Sequence, residues 1–351
     1  MNQPLWKQQN PNNNPLRFEE KYTIQGLLDK GSEGVVYSIY HKETKQTSAC
    51  KKIELLTTGT VALRALQEIR VLKSLSHENI IKLEEVYLEQ SATSFAVLLV
   101  YEMYPSNLSD CIKNGKITAV TQMKFIISQT ASALCYLHNR GIIHRDIKPS
   151  NILVGDRLCV KLCDFGSCKL LTQTGNYPTL QSVSTKIYMP PEGMNEGIEE
   201  TTAIDIWQLG CVFLQMLLRS PPFKGHSLSS IKKNILSLLK PEEDKNVKER
   251  VEKIEKVFSL DIPELLSKEN KGIPYFIRTL KIDTMSQELI FLMLQVSPKK
   301  RITAQQILQH QSIRMFKQRM GEDVNRHVNA VQGNENFESI ITLIHEEEVV
   351  V

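Results

Sequence analysis

The residues that could do chemistry cluster in one short stretch. His144-Arg145-Asp146-Ile147-Lys148-Pro149-Ser150-Asn151 is followed by Asp164-Phe165-Gly166, which brings carboxylates, an amide and an ammonium close together in the chain. Phosphoryl transfer requires a held metal–phosphate complex, a positioned hydroxyl and neutralised charge, and residue types for each stand here. Taken alone, a charged string between apolar segments reads as an exposed turn. Upstream, Gly31 and Gly34 punctuate Asp29-Lys30-Gly31-Ser32-Glu33-Gly34-Val35-Val36, and glycines let backbone N–H groups approach phosphate oxygens without a Cβ in the way. By itself that pattern also fits a plain hairpin turn.

Elements must position these groups. From Phe18 to Leu55 apolar and polar residues alternate in short pieces, Tyr22–Ile24, Val35–Tyr40 and Ser48–Ile53, a run of antiparallel strands. Leu63, Leu66, Ile69, Leu72 and Leu75 recur at helical spacing, and Ala96–Val100 reads as a buried strand before Pro105. After Pro105 the period lengthens. Met123–Asn139, ending at Gly141, and Ala203–Leu218 read as helices, with short strands at Ile152–Val154 and Val160–Leu162. The expectation is an α+β chain: a small antiparallel-sheet lobe with one helix over 18–104, and a larger, mostly helical lobe over 105–314. Residues 240–282 form a charged insert, in which eleven of the fifteen residues from Glu242 to Lys256 are charged around a narrow apolar stripe at Val247, Val251, Ile254 and Phe258. That stripe suits a solvated amphipathic helix, with a partner-docking face as the alternative. The first fourteen residues hold eight Asn or Gln, so 1–17 reads as a disordered tail. Residues 315–351 read as a loose C-terminal tail.

The motifs from about Phe18 to about Ile313 resemble the eukaryotic protein kinases in type and order. The resemblance implies the bilobal kinase fold and the use of ATP and Mg2+. It implies that Asp146 takes or orients the proton of the substrate hydroxyl, that Lys148 sits against the transferred phosphate, and that Asn151 and Asp164 hold magnesium. Lys51, on a strand, would grip the α and β phosphates with Glu68 as its partner. The nucleotide pocket would draw on Leu28, Gly31, Ser32, Glu33, Gly34, Val36, Ala49, Leu153 and the backbone of Glu102 and Tyr104, with Tyr101 guarding the rear. Asp29 stands where the family's first loop glycine would be. Glu192, in Pro190-Pro191-Glu192, would pair with Arg301, and Asp205 opens the helix that carries Asp205-Ile206-Trp207.

Lys148 and Thr185 resemble the serine/threonine type. Lys52-Ile53 and His77-Glu78-Asn79-Ile80 look most like the cyclin-dependent and mitogen-activated branch, but Met189 replaces that branch's arginine before its Ala-Pro-Glu, so proline selection is not implied. The cyclin-binding helix signature is absent, as is a Thr-x-Tyr pair. Within 164–192, Thr179 or Ser182 is the expected phosphorylation switch, with Arg145 and Lys169 as its basic pocket. The function this implies is transfer of the γ-phosphate of Mg-ATP to Ser/Thr hydroxyls of protein substrates, with an activating kinase or regulatory subunit as a further partner. The alternative is a pseudokinase that acts as a scaffold.

Composition bounds the classes. Of 351 residues, 41% are hydrophobic and 23% charged, an ordinary globular balance. The 43 basic and 39 acidic residues leave a net charge of +4, which gives no nucleic-acid footprint. Seven cysteines scatter without a Cys-x-x-Cys pair, which points to a reducing compartment, cytoplasm or nucleus. No apolar run is long enough for a membrane span.

Overall fold

The computed structural model describes residues 17–31, 34–55, 59–90, 95–171, 178–194, 199–223, 225, 227–237, 277 and 280–315. The tails, Ser32, Glu33 and nearly all of 240–282 lie outside the described residues. The chain divides into two compact units, Met1–Ser74 with Ile81–Tyr104, and Leu75–Ile80 with Pro105–Val351.

The first unit opens with α1 (Phe18–Lys21) and holds β1 (Tyr22–Gly31), β2 (Gly34–His41), β3 (Thr47–Glu54), α2 (Gly59–Ser74), β4 (Leu83–Gln90) and β5 (Phe95–Glu102). The strands form one antiparallel sheet in the order β1-β2-β3-β5-β4. Directly opposed residues share a face, so the register divides the side chains into two sets. Ile39, Cys50, Leu98 and Val100 join Phe18 and Tyr22 in a buried apolar cluster. Burial pushes the Cys50 thiol up to about 12, which keeps it inert. Val36 opposes Lys51, Lys51 opposes Leu99 and Ala49 opposes Tyr101, so these five share the other face.

The expected apolar stripe of α2 is shifted. Ala65, Glu68, Val71 and Leu72 are buried, whereas Leu63 and Leu66 are 64% and 40% exposed. The helix turns Glu68 inward, and two residues of the sheet answer it.

The second unit contains β6 (Ser106–Asn107), α3 (Leu108–Lys113), α4 (Val120–His138), β7 (Ile142–Ile143), β8 (Ile152–Val154), β9 (Val160–Leu162), β10 (Lys169–Leu170), α5 (Leu180–Val183), α6 (Ala203–Leu218), α7 (Leu228–Ser237), α8 (Thr284–Met293) and α9 (Ala304–Gln309). Strands β6, β8 and β9 form a small sheet, and β7 pairs with β10. Leu75–Ile80 belongs here although a contiguous first lobe was expected: Asn79 Nδ2 donates to Val160 O at 3.1 Å, and Ile80 bridges to Leu162. Buried along nearly its whole length, α6 stacks Trp207 on Phe223 with ring centroids 5.6 Å apart. No helix among the described residues is long and apolar enough to cross a membrane.

Candidate active site

Each unit carries its own group of polar side chains. In the first, Lys51 Nζ donates to Glu68 Oε2 at 2.9 Å, and the Tyr101 hydroxyl donates to Glu68 Oε1 at 2.8 Å. Both donors point from the same sheet face because Tyr101 opposes Ala49, two residues before Lys51. The carboxylate thus has a partner on each oxygen, which is what permits its burial at 2% exposure. The tyrosine's bond to Glu68 had no signal in the sequence. Tyr101→Phe keeps the ring and removes the hydroxyl, and is expected to lower unfolding stability by about 1.5–3 kcal/mol, the worth of a hydrogen bond to a charged group. Denaturant titration checks it, and an unchanged midpoint would deny the hydroxyl that role.

At the turn between β1 and β2, Gly34 has φ +152°, and a Cβ there would meet Lys52 O at 2.4 Å, so only glycine fits. Gly31 pairs with it across the turn. Asp29 Oδ1 accepts from the Lys30 amide at 2.8 Å, so its carboxylate folds onto its own strand. Val36 and Ala49 lie on the Lys51 face, and Leu28 stays 45% exposed. Glu102 accepts from the Lys82 amide at 3.0 Å, and Tyr104 ends the unit half-buried.

The second unit assembles its group on the loop after β7. Asp146 is 4% exposed. Its Oδ1 accepts from both the Thr185 amide and hydroxyl at 2.9 Å, and its Oδ2 from Lys148 Nζ at 2.7 Å and Asn151 Nδ2 at 3.2 Å. Lys148 Nζ also donates to Thr185 Oγ1 at 3.0 Å. A residue placed well downstream by sequence therefore closes around the same carboxylate. Leu153 lies in β8, just past Asn151. The Cys163 amide donates to Asn151 O at 3.0 Å, which brings the residue before Asp164 against the loop. Asp164 itself holds φ +66° and ψ 74°, a left-handed conformation rare outside glycine, and Phe165 behind it packs edge-on against His144 at 5.0 Å.

The loop's backbone is fixed by α6. Asp205 is fully buried and accepts from the amides of His144 and Arg145 at 2.9 and 2.8 Å and from His138 Nε2 at 2.8 Å. Burial works against its charge, yet the hydrogen bond from His138 and the charges of His138 and His144 hold its carboxyl below the ordinary value. One helical turn on, Gln208 accepts from the Ile147 amide and donates to Arg145 O, both at 2.9 Å. These bonds hold Arg145 at φ +70°. Gln208 is legible only in hindsight, from its i+3 spacing to Asp205.

Asn151 and Asp164 offer an amide and a carboxylate, hard oxygen donors that suit magnesium. Asn151 turns its Nδ2 to Asp146 O at 2.9 Å, so its amide oxygen is the atom a cation would take. No group of three or more His, Cys, Asp or Glu that could hold a metal occurs among the described residues. The donor set fits a magnesium ion that keeps phosphate and water in its shell.

Glu192 and Arg301 meet in a two-pronged pair, with Nη1 to Oε1 at 2.7 Å and Nη2 to Oε2 at 3.0 Å. Thr179, at the start of α5, and Ser182 are exposed. Arg145 and Lys169 do lie together, but the side chain between them is Glu200, which the sequence reading passed over. The segment's further hydroxyl residues Thr172, Thr174 and Tyr177 lie outside the described residues.

A protein kinase domain model matches residues 22–313. The chain is 30% identical over 297 residues to Mitogen-activated protein kinase 2 of Arabidopsis thaliana, covering 84% of this chain and 77% of that protein. It is 30% identical over 319 residues to Extracellular signal-regulated kinase 1 of Candida albicans strain WO-1, covering 86% and 75%. To Mitogen-activated protein kinase 7 of Arabidopsis thaliana it is 31% identical over 298 residues, covering 84% and 79%. With its antiparallel-sheet first unit, its helical second unit and these relatives, the chain belongs to the eukaryotic protein kinase family, serine/threonine type, in the branch that joins the cyclin-dependent and mitogen-activated kinases.

Proposed function

We propose that the chain is an active, ATP-dependent serine/threonine protein kinase. The observation that carries this reading is the arrangement around Asp146, a buried carboxylate held by Lys148, Asn151 and Thr185. In the transfer, the substrate hydroxyl oxygen bonds to the γ-phosphorus, the bond from that phosphorus to the bridging oxygen of ADP breaks, and the hydroxyl proton passes to Asp146. Asp146 orients the hydroxyl and receives that proton. The Lys148 ammonium neutralises charge developing on the transferred group. Asn151 and Asp164 would hold magnesium, which would supply positive charge to shield and polarise the phosphates. In the first unit Lys51, steadied by Glu68 and through it by Tyr101, takes the α and β phosphates, while Gly31 and Gly34 allow the β1–β2 turn close to phosphate. Leu28, Val36 and Ala49 supply apolar surface for the adenine, with backbone contacts from Glu102 and Tyr104.

The substrates are proteins, presented on the segment that ends at Glu192. The seven cysteines scatter without a Cys-x-x-Cys pair, which supports the cytoplasm or nucleus as the place of action. The test is transfer of radiolabelled phosphate from ATP to a degenerate Ser/Thr peptide library. Incorporation is expected with magnesium and none with excess chelator, and the library reports whether proline is selected despite Met189. Absence of both transfer and Mg-ATP binding would overturn the reading in favour of a scaffold.

A further inference from the structure

The carboxylate of Glu200 sits where sequence reasoning expected an added phosphate. Its Oε2 lies 3.2 Å from Arg145 Nη1 and 3.0 Å from Lys169 Nζ, and its Oε1 accepts from the Leu180 amide at 3.1 Å. Arg145 is 1% exposed and Glu200 9%. The guanidinium makes two further bonds, Nε donating to Ser167 O at 2.6 Å and Nη1 also to Pro178 O at 2.9 Å. A single acidic side chain thus joins the loop residue preceding Asp146, strand β10 beyond Asp164, and the first turn of α5. A buried guanidinium and a half-buried ammonium brought this close repel each other unless an anion lies between them, and charge-assisted bonds to a carboxylate are the strong kind. A phosphate on Thr179 or Ser182 would have to displace Glu200 or stand beside it, and like charges there disfavour it.

We propose that Glu200 is a positioning residue for phosphoryl transfer, a built-in anion that anchors the start of α5 to Arg145 and Lys169 so that the segment is set without phosphorylation. It acts through the chain it holds. Five residues after Leu180, the Thr185 amide and hydroxyl bind Asp146, so release of Leu180 loosens the group around the reacting hydroxyl. This rests on the kinase reading above.

The experiment compares phosphatase-treated full-length protein, the double variant Thr179→Ala/Ser182→Ala, and Glu200→Ala, each assayed for peptide phosphorylation and for backbone hydrogen exchange over 180–183. The phosphatase-treated protein and the double variant are expected to keep kcat within about twofold. Glu200→Ala is expected to lose kcat by about a hundredfold, on the order of the cost of a 1 Å misplacement, with the KM for ATP nearly unchanged. Its Leu180 amide should exchange faster. Added inorganic phosphate or formate should enter the vacated basic site and restore both kcat and protection in Glu200→Ala, while leaving the unsubstituted protein unchanged. A merely structural loss would not respond to a small anion. Failure of the phosphatase-treated protein or the double variant to transfer, while a form phosphorylated on the segment does, would overturn the proposal and leave the kinase reading standing. Full activity or unchanged exchange in Glu200→Ala would overturn it too. No transfer by any form sinks the kinase reading, and the proposal falls with it.

Discussion

Asp146→Asn is expected to lower kcat for peptide phosphorylation by about 10²–10⁴-fold, the range that a positioned proton acceptor contributes. The substitution keeps the size of the side chain and one oxygen, which would stay with the Thr185 amide and hydroxyl. The new amide group would then face Lys148 Nζ and Asn151 Nδ2, both donors, where Asp146 Oδ2 had accepted from each. Two donors would lose an acceptor, and a leftover buried donor costs about 1–3 kcal/mol. Some loss of stability should therefore accompany the loss of rate, and the two must be separated. The separation is in the kinetics. Loss of the acceptor depresses kcat by more than it raises the KM for ATP, because Lys51 and the β1–β2 turn, assigned to the nucleotide's α and β phosphates, keep all their bonds while only Lys148 and Asn151 lose one. Thermal unfolding of Asp146→Asn shows whether enough folded protein remains for the comparison. A folded variant that retained more than about a tenth of the parent rate would leave Asp146 without the role assigned to it.

How far the sequence was readable follows from where each partner lies along the chain. Asp146, Lys148 and Asn151 share one loop, and the strands at Ile152–Val154 and Val160–Leu162 and the helix at Ala203–Leu218 are observed with the expected bounds, because their apolar periods are clean. The strand Leu83–Gln90 escaped because its polar residues obscure the alternation. On α2 the periodicity misled. Leu63 and Leu66 repeat at helical spacing, yet the buried stripe runs through Glu68, which is inside only because Lys51 and Tyr101 satisfy both its oxygens. Apolar pattern cannot report a charge that is buried by pairing. Glu200 is the extreme case. Its partners stand at 145, 169 and 180, positions that no helical or strand period links to 200, so only the folded chain brings them together. Asp205 and Gln208 are intermediate: one turn of α6 carries both, but what they hold is a loop sixty residues earlier, seen in the bonds from the Arg145 and Ile147 amides.

Replacing Arg301 by Leu is expected to cost about 3–5 kcal/mol of stability, the penalty for removing one member of a buried ion pair. The size follows from how completely the guanidinium is used. Beyond its two bonds to Glu192, Arg301 donates through Nη1 to Ala203 O at 2.6 Å, through Nε to Gln295 O at 3.0 Å and through Nη2 to Val296 O at 3.4 Å. Its side chain is 0% exposed and that of Glu192 15%. One planar fork therefore ties the start of α6 to the end of α8 and to the segment at Glu192, and a lysine could not reach so many acceptors. An exposed pair behaves otherwise. Lys113 and Asp110, 3.7 Å apart and largely in water, are worth at most about 0.5 kcal/mol. At about 2–4 °C per kcal/mol for a unit of this size, Arg301→Leu should lower the unfolding midpoint by roughly 6–20 °C. The double variant Glu192→Leu/Arg301→Leu removes the stranded carboxylate as well as the cation, so it should lose less than the two single changes added together. Calorimetric scans of the parent, both single variants and the double variant measure that difference. Strict additivity, or a midpoint that hardly moves in Arg301→Leu, would show that the fork is not what holds this end of the second unit together.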